Sequence, residues 1–316
     1  MTRLRSNYKL AVEGGREILF TFWRREIVPK KSVEFMSEGS RVVADLYLPE
    51  DNTVNAPAIL LCHGFAGVKE LLLPAFAEYF ANAGYVAMTF DYRGFGGSDG
   101  EPGRLVPALQ IEDIKNAVTF LSQRPEVDSN RIGLWGTSFG GANVVVAASE
   151  DDRIKAISVQ LTFADGERVI TSEMSQDEKS KFLATIEKME EKKKKTGKEM
   201  MVPIVKVLSD DQSKEFYKEY ADEYSALKIK IPFLTLAETL KHKPINAIPD
   251  VNVPVMVVAA TNDSVNPISE SYSLFEAANE PKELLELEEA THYEVYRGEA
   301  FKQAANKQVS WFNNYL

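Results

Sequence analysis

The chain has 316 residues, of which 44% are hydrophobic and 27% charged, and its formal net charge at pH 7 is −10. These proportions are ordinary for a folded globular protein, and the length suits one large α/β domain with an insertion. The acidic balance argues against nucleic acid or an anionic membrane as the main partner. With a single cysteine, Cys62, no intrachain disulfide can form. We find no signal-peptide core or membrane-spanning run, so we expect a cytoplasmic protein.

The first half of the chain alternates between strand-like and helix-like segments. Residues 1–31 mix apolar and charged side chains, which we interpret as an N-terminal packing extension of helical character. Period-two alternation then predicts a hairpin with strands at 32–36 and 41–48. A continuous apolar run at 58–62 is typical of a strand buried on both faces of a parallel sheet, and further strands are predicted at 85–90, 131–135 and 154–161. Helical spacing between them predicts helices at 71–83, 107–122 and 140–148.

The alternation stops over residues 162–249, which are helical and charged and have no buried-strand pattern. Capping boxes that begin at Ser175 and Thr235 predict two helices there. A third helix is expected near 210–227. Two of these helices have apolar faces, formed by Phe182, Leu183, Ile186 and Met189 and by Phe216, Tyr217, Tyr220 and Tyr224. The sheet pattern resumes with a strand at 255–260, a helix at 268–278, a strand at 283–287 and a helix at 299–316.

Strands that alternate with helices at this pitch predict a mostly parallel, doubly wound sheet of about eight strands, with right-handed crossovers. We expect residues 1–161 and 250–316 to form this α/β core domain and residues 162–249 to form an inserted helical cap. A segment of this length is too long for a plain loop. Because its ends flank the carboxyl ends of the strands, we expect it to wall the pocket above Ser138. The alternative is that its apolar faces only pack a small core of the insertion.

Residues 136–141, with the sequence Gly-Thr-Ser-Phe-Gly-Gly, lie between a predicted strand and a helix of small residues. G-x-S-x-G in this setting is a nucleophile elbow, in which the serine occupies a tight and strained turn. Larger side chains two positions before or after Ser138 would collide, which explains Gly136 and Gly140. The motif alone occurs by chance in many proteins. Its strand–turn–helix context makes Ser138 the candidate nucleophile.

A serine hydroxyl needs a neighbouring base to take its proton and a third group to orient that base. In this type of fold the partners follow in the order serine, acid, histidine. Of the three histidines, His63 precedes the serine and His242 lies in the insertion, whereas His292 follows the last predicted strand. His292 is therefore the candidate base. We expect His63 to pack its own loop.

The candidate acid is Asp263, which comes directly after the strand at 255–260. Asp250 precedes that strand and would lie at the opposite edge of the sheet. Asp263 also has a simpler explanation as a helix N-cap, as Ser138 has as a turn residue and His292 as a loop residue. Three position-dependent requirements met in the right chain order favour the catalytic interpretation.

An oxyanion formed at Ser138 would need two main-chain N–H donors, and we expect them from Phe139 and Phe65. Phe139 follows the nucleophile and begins the next helix, whose N-terminus favours negative charge. Phe65 lies in the loop after the first central strand. Candidate substrate-binding residues from the insertion are Phe216, Tyr220 and His242, although we favour the cap surface over the pocket for His242.

Taken together, several short motifs resemble the α/β-hydrolase superfamily: residues 63–67, 91–94, 136–141, 262–263 and 291–292. Within it, the chain resembles the branch of acetyl xylan esterase-like, dienelactone hydrolase-like and prolyl-oligopeptidase-like hydrolases. The resemblance covers about residues 33–161 and 255–316. It implies the same roles for Ser138, Asp263 and His292 and the same oxyanion donors, and it places 162–249 where the family has a variable helical lid.

These features predict a serine hydrolase of the carboxylesterase type that acts on small or medium acyl esters through an acyl-enzyme. We expect a small-molecule acyl ester as the partner and no metal or organic cofactor. The oligomeric state stays open, with a homodimer among the options. The first alternative is an acyltransferase or thioesterase that passes the acyl group to another acceptor or releases a polyketide-like chain. A peptidase and a non-catalytic ligand-binding relative are further alternatives.

Overall fold

A computed structural model describes residues 8–13, 16–21, 28–50 and 54–316 of the chain. The first two strands, β1 (Tyr8–Glu13) and β2 (Arg16–Thr21), pair with each other in antiparallel fashion. The prediction of a helix in the N-terminal extension is therefore wrong over these twelve residues. A mixed apolar and charged sequence without clear periodicity does not distinguish the two structures. The rest of that prediction falls on residues outside the described ranges.

The other strands are β3 (Lys30–Ser37), β4 (Ser40–Tyr47), β5 (Ala56–Cys62), β6 (Val86–Phe90), β7 (Val127–Thr137), β8 (Ile154–Gln160), β9 (Met201–Pro203), β10 (Lys230–Pro232), β11 (Val255–Ala260) and β12 (Lys282–Leu287). Within the described residues, eight of them form one sheet in the order β12-β11-β8-β7-β5-β6-β4-β3. The pairs β3–β4 and β4–β6 are antiparallel, and the other neighbours are parallel. This confirms the predicted mostly parallel sheet.

The helices are α1 (Leu73–Asn82), α2 (Pro107–Ser122), α3 (Phe139–Glu150), α4 (Gly166–Thr171), α5 (Gln176–Thr196), α6 (Asp211–Tyr220), α7 (Thr235–Lys241), α8 (Ile268–Ala277) and α9 (Gly298–Tyr315). Alternate residues of a strand point to opposite faces of the sheet. On β5, Leu60 packs with the buried residues of α2 and α3, whereas Ile59 and Leu61 pack with those of α1 and α9. Helices thus cover both faces of the sheet. Among the described residues, no helix is long and apolar enough to cross a membrane.

The segment between β8 and β11 contains α4 to α7, as expected for a mainly helical insertion, but it differs from the prediction in detail. It also holds the short antiparallel pair β9–β10, whose three-residue strands are too short to leave a pattern in the sequence. Helix α6 ends at Tyr220, and a separate 3₁₀ turn follows at Ser225–Lys228. The capping box at Ser175 is present. The one at Thr235 is wrong, because Leu234 occupies the N-cap position and gives no side-chain cap.

The two apolar faces of the insertion pack in different places. Phe182, Ile186 and Met189 join a small cluster with Leu234 and with residues of α7, and this cluster is the insertion's own core. Leu183, expected on the same face, is 37% exposed. Phe216, Tyr217 and Leu227 instead join the main cluster on the α2 and α3 side of the sheet. The first face therefore packs as the alternative interpretation expected, and the second packs against the core domain.

Candidate active site

Ser138 occupies a single-residue turn between β7 and α3, and its backbone φ is 52°. This left-handed conformation costs energy for a residue with a side chain and persists only where the surroundings enforce it. Its main-chain N–H donates to the Gln160 carbonyl at 2.9 Å, and its carbonyl accepts from the Thr162 hydroxyl at 2.9 Å. These two bonds tie the turn to the end of β8.

Glycines allow neighbouring segments to pack directly against this turn. A Cβ atom at Gly136 would lie 2.7 Å from the Gly140 carbonyl oxygen, and one at Gly140 would lie 2.2 Å from the carbonyl oxygen of His63. A Cβ at Gly64 would lie 3.2 Å from the Cβ of Ser138. The steric reason predicted for Gly136 and Gly140 therefore applies. The same contacts bring the loop after β5 against the candidate nucleophile.

Asp263 and His292 form a buried pair, with Asp263 Oδ2 2.7 Å from His292 Nδ1. Because a carboxylate only accepts hydrogen bonds, Nδ1 carries a proton, and in the neutral ring Nε2 is then the acceptor. The other oxygen, Asp263 Oδ1, accepts the main-chain N–H groups of Val265 and Asn266, each at 2.8 Å. The carboxylate is thereby fixed from both sides. Asp250, the alternative acid, is exposed in a 3₁₀ turn before β11.

The Ser138 hydroxyl and His292 line the same cavity. A hydrogen bond to Ser138 Oγ comes from the side-chain amide of Asn266, at 3.3 Å. Among the described residues, no hydrogen bond joins Ser138 Oγ to His292. Catalytic hydrogen bonds are often long or poorly aligned until substrate binds, so the lack of this bond does not argue against His292 as the base.

The main-chain N–H groups of Phe65 and Phe139 are the oxyanion donors expected from the sequence. Within the described ranges, neither N–H donates to a protein acceptor. Phe139 is the first residue of α3, where main-chain donors have no partner within the helix. The two rings meet edge to face with centroids 5.6 Å apart, and Phe65 also lines the cavity. Two predicted donors thus lie on segments that pack against Ser138.

The three substrate-binding candidates from the insertion lie in different places. Phe216 lines the cavity, whereas Tyr220 packs on Phe216 with ring centroids 4.9 Å apart and does not line it. His242 is 7% exposed, so its placement on the cap surface is wrong. Its ring packs on those of Phe139 and Phe163, 5.5 and 5.8 Å away, and burial lowers the pKa of His242 to about 4.

His63 has the packing role expected of it. Its Nε2 lies 2.9 Å from the Leu71 carbonyl oxygen and its side chain is buried, which lowers the pKa of His63 to about 4. A Cβ at Gly67 would lie 1.7 Å from the His63 ring, so the loop folds tightly around it. The residue holds the loop that carries Phe65 in its place beside Ser138.

Sequence reasoning missed several residues of the cavity wall and also Asn266. The wall residues that it missed are Leu71, Leu72, Leu208, Leu227, Val265, Tyr293 and Tyr296, whereas Tyr217 belongs to the apolar face that was expected at the pocket. Tyr293 stacks on Phe216 with ring centroids 4.2 Å apart. Its position next to His292 was the available signal, since a residue beside the base is carried to the same rim. Asn266 offered a similar signal, three residues after the candidate acid.

The mostly parallel sheet covered by helices, with a serine on the turn between a strand and a helix, defines an α/β hydrolase. The solved structure of α/β hydrolase GrgF from Penicillium sp. sh18 has the same fold, with a TM-score of 0.77 and 24% identity over 91% of this chain and 99% of that one. Residues 38–294 match the family model described as X-Pro dipeptidyl-peptidase (S15 family). The chain belongs to this family, which is part of the α/β-hydrolase clan.

Curated relatives cover most of the chain. An uncharacterized 31.7 kDa protein in the traX-finO intergenic region of Escherichia coli is 48% identical over 89% of this chain and 98% of its own. The quorum-quenching protein AidA of Acinetobacter baumannii is 30% identical over 90% of this chain and 94% of its own. The thiohydrolase aneE of Aspergillus aculeatus is 31% identical over 90% of this chain and 93% of its own. Other relatives, 25 to 27% identical, are named polyketide transferases and an acyltransferase. The chain is thus an enzyme of the hydrolase or transferase type.

Proposed function

We propose that this chain is a serine hydrolase of the carboxylesterase type, which cleaves small or medium acyl esters through an acyl-enzyme on Ser138. The observation that carries the proposal is the buried hydrogen bond between Asp263 and His292 at the cavity that contains Ser138. A base oriented by a carboxylate, beside a serine on a strained elbow, is the arrangement that activates a hydroxyl.

In the acylation step, Ser138 Oγ attacks the carbonyl carbon of the ester while His292 Nε2 takes the hydroxyl proton. Asp263 holds the ring in the tautomer that leaves Nε2 free and stabilises the imidazolium that forms. The oxyanion accepts hydrogen bonds from the N–H groups of Phe65 and Phe139. Because these donors are fixed before substrate arrives, they stabilise the developing charge without reorganisation.

Collapse of the tetrahedral intermediate breaks the bond to the alcohol, which receives the proton from His292 as it leaves. A water molecule then enters, His292 takes one of its protons, and the resulting hydroxide attacks the acyl carbonyl. The second intermediate collapses with Ser138 Oγ as the leaving group. His292 returns the proton to Oγ, and the carboxylic acid is released.

The cavity wall supports an uncharged acyl group as the substrate. Among the described residues that line the cavity there is no lysine, arginine, aspartate or glutamate, and most of the wall is aliphatic or aromatic. An enzyme that removes an X-Pro dipeptide has to hold the free ammonium group of its substrate, which a buried carboxylate would stabilise. The lining offers no such group. We therefore favour an ester over the peptide named in the family description.

Acyl transfer or thioester cleavage is the second candidate, favoured by the names of relatives such as the thiohydrolase aneE. Both reactions pass through the same acyl-enzyme and differ in what leaves and what accepts. Analysis of products with and without an added alcohol or amine separates hydrolysis from transfer. A new ester or amide, formed at the expense of the free acid, would establish the transferase.

The proposal is tested with a panel of aryl esters of increasing chain length, thioesters, lactones and an X-Pro anilide. We expect turnover of esters by the wild type, with a preference for uncharged acyl groups, and none by Ser138→Ala above the background. Preferential cleavage of the X-Pro anilide would contradict the esterase assignment. Equal turnover by the serine variant would contradict the site itself.

A further inference from the structure

Asn266 contacts the candidate nucleophile directly, although it is neither the candidate acid nor the candidate base. We propose that Asn266 is a further catalytic residue, whose side-chain amide fixes the orientation of the Ser138 hydroxyl so that its proton points at His292. The inference rests on the proposed function, because it assigns a role within the same site. Four features of the structure support it.

The first feature is the pair of hydrogen bonds that the amide makes. Asn266 Nδ2 donates to the Leu161 carbonyl at 2.7 Å and to Ser138 Oγ at 3.3 Å. A side-chain amide nitrogen has two N–H groups in a fixed plane, so the bond to the carbonyl aims the second N–H at the hydroxyl. Asn266 is 5% exposed, which limits competition from water.

The second feature is the way in which the backbone of Asn266 is held. Its main-chain N–H donates to Asp263 Oδ1 at 2.8 Å, while Asp263 Oδ2 accepts from His292. One carboxylate therefore positions both the candidate base and the amide that contacts the nucleophile. The distance between Asn266 and His292 is set by a single rigid group.

The third feature is backbone strain at both acceptors. Ser138 has a φ of 52° and Leu161 a φ of 54°, and both are residues with side chains in the left-handed region. Strain of this kind persists where a function or the surrounding structure requires it. Leu161 comes directly after β8, next to β7 and Ser138 in the sheet. The turn at Leu161 gives the amide its anchor.

The fourth feature is the chemistry of the hydroxyl. A serine hydroxyl has one proton to donate and two lone pairs. The N–H of Asn266 occupies a lone pair, because an N–H cannot accept. The proton is then directed to another acceptor in the cavity, and His292 Nε2 is the acceptor that the Asp263 bond leaves free. Once Oγ is acylated it has no proton to orient, so the effect is largest in acylation, and in deacylation the N–H only stabilises Oγ as it leaves.

The test separates the two chemical steps in the variants Asn266→Leu and Asn266→Asp. Leucine has a similar size and removes the donor, whereas an ionised aspartate keeps the shape but accepts the hydroxyl proton in place of His292. We expect the rate of Ser138 labelling by a fluorophosphonate, and the burst rate with p-nitrophenyl acetate, to fall about tenfold or more. The deacylation rate should fall clearly less than the acylation rate, since water attack does not use the hydroxyl proton and Oγ has only to leave.

The matched control is Asn279→Ala, which removes an amide that joins the Pro249 and Val251 carbonyls instead of the serine. It should leave both steps unchanged. Equal slowing of acylation and deacylation in the Asn266 variants would show a structural role and overturn the inference, as would unchanged labelling. If Asn266→Asp folds and Asn266→Leu does not, the acylation and deacylation rates of Asn266→Asp alone decide the question. Failure of the wild type itself to be labelled would overturn the proposed function and this inference together.

Discussion

Asp263 Oδ2 and His292 Nδ1 lie 2.7 Å apart, although 29 positions separate the two residues in the sequence. Asp263 follows β11 and His292 follows β12, which are parallel neighbours with Ala260 opposite Leu287 at their ends. The carboxyl ends of parallel neighbours meet at one edge of a sheet, so the loops that follow them are adjacent. The pairing of acid and base is therefore a consequence of strand order, and the buried bond completes it.

Replacement of the acid tests this relationship. We expect Asp263→Asn to lower kcat by about 10³- to 10⁴-fold, because an amide in place of the carboxylate no longer holds His292 in the tautomer that leaves Nε2 free. The variant should still fold, since asparagine has the same shape. Asp250→Asn is the control, because Asp250 is exposed before β11. Greater damage from the control, measured as kcat on one aryl ester, would mean that Asp263 is not the acid.

The insertion offers a test of acyl specificity. Phe216 lines the cavity, stacks on Tyr293 and comes from α6. We expect Phe216→Ala to enlarge the pocket and to shift the preferred ester toward longer acyl chains, as measured by kcat/KM across a series of p-nitrophenyl esters. Labelling of Ser138 by a small phosphonate should remain close to that of the wild type, because the bond-making groups are untouched.

The control for this prediction is Phe182→Ala, which removes an aromatic side chain from the insertion's own core and not from the cavity. It should lower the melting temperature without a change in chain-length preference. If the acyl chain-length preference of both variants equals that of the wild type, the insertion does not shape the acyl pocket. The expectation that 162–249 acts as a specificity cap would then have to be abandoned.

Stability should depend on pH through the buried histidine of the insertion. Burial lowers the pKa of His242 to about 4 in the folded state, whereas an unfolded chain has a value of about 6.5. Between these values the unfolded state binds more protons, so the free energy of unfolding falls as pH decreases through this window. Its Nε2 is buried without a hydrogen-bond partner among the described residues, so an apolar ring is expected to fit. His242→Phe should therefore reduce the loss of melting temperature between pH 7 and pH 5.

Burial also lowers the pKa of His63 to about 4. His63 is present in both the wild type and His242→Phe, so its contribution to the pH dependence of stability is the same in both. The comparison thus isolates the proton that His242 takes up on unfolding. An equal loss of melting temperature in the wild type and the variant would contradict the assignment of this proton to His242. The measurement needs only thermal unfolding at the two pH values.

The sequence predicted the sheet well because strands buried on both faces leave continuous apolar runs, as at β5 and β11. The sequence also predicted that Ser138, Asp263 and His292 lie at one edge of the sheet, because chain order and sheet topology place the loops after successive strands together. It predicted the insertion less well. Strands β9 and β10 have three residues each, and the contacts of His242 depend on long-range packing against Phe139 and Phe163. Sequence periodicity carries no information of that kind.

The cap predicted at Thr235 was wrong and Asn266 was missed, for different reasons. Thr235 and Glu238 have the spacing of a capping box, but Leu234 takes the N-cap position and the threonine side chain is buried. The contacts of Asn266 depend on the predicted turn at Ser138 and on a second turn at Leu161, whose conformation only the folded chain reveals. A motif predicts a local hydrogen bond, whereas tertiary packing decides whether it forms.

The central claim is that Ser138 forms a covalent acyl-enzyme. The most direct measurement is intact-protein mass spectrometry after brief incubation with p-nitrophenyl acetate or a fluorophosphonate, followed by peptide mapping. The account predicts one adduct per chain, located on Ser138, absent from Ser138→Ala and strongly slowed in His292→Ala. Rapid ester turnover with no adduct on Ser138, or an adduct on another residue with Ser138→Ala fully active, would contradict it.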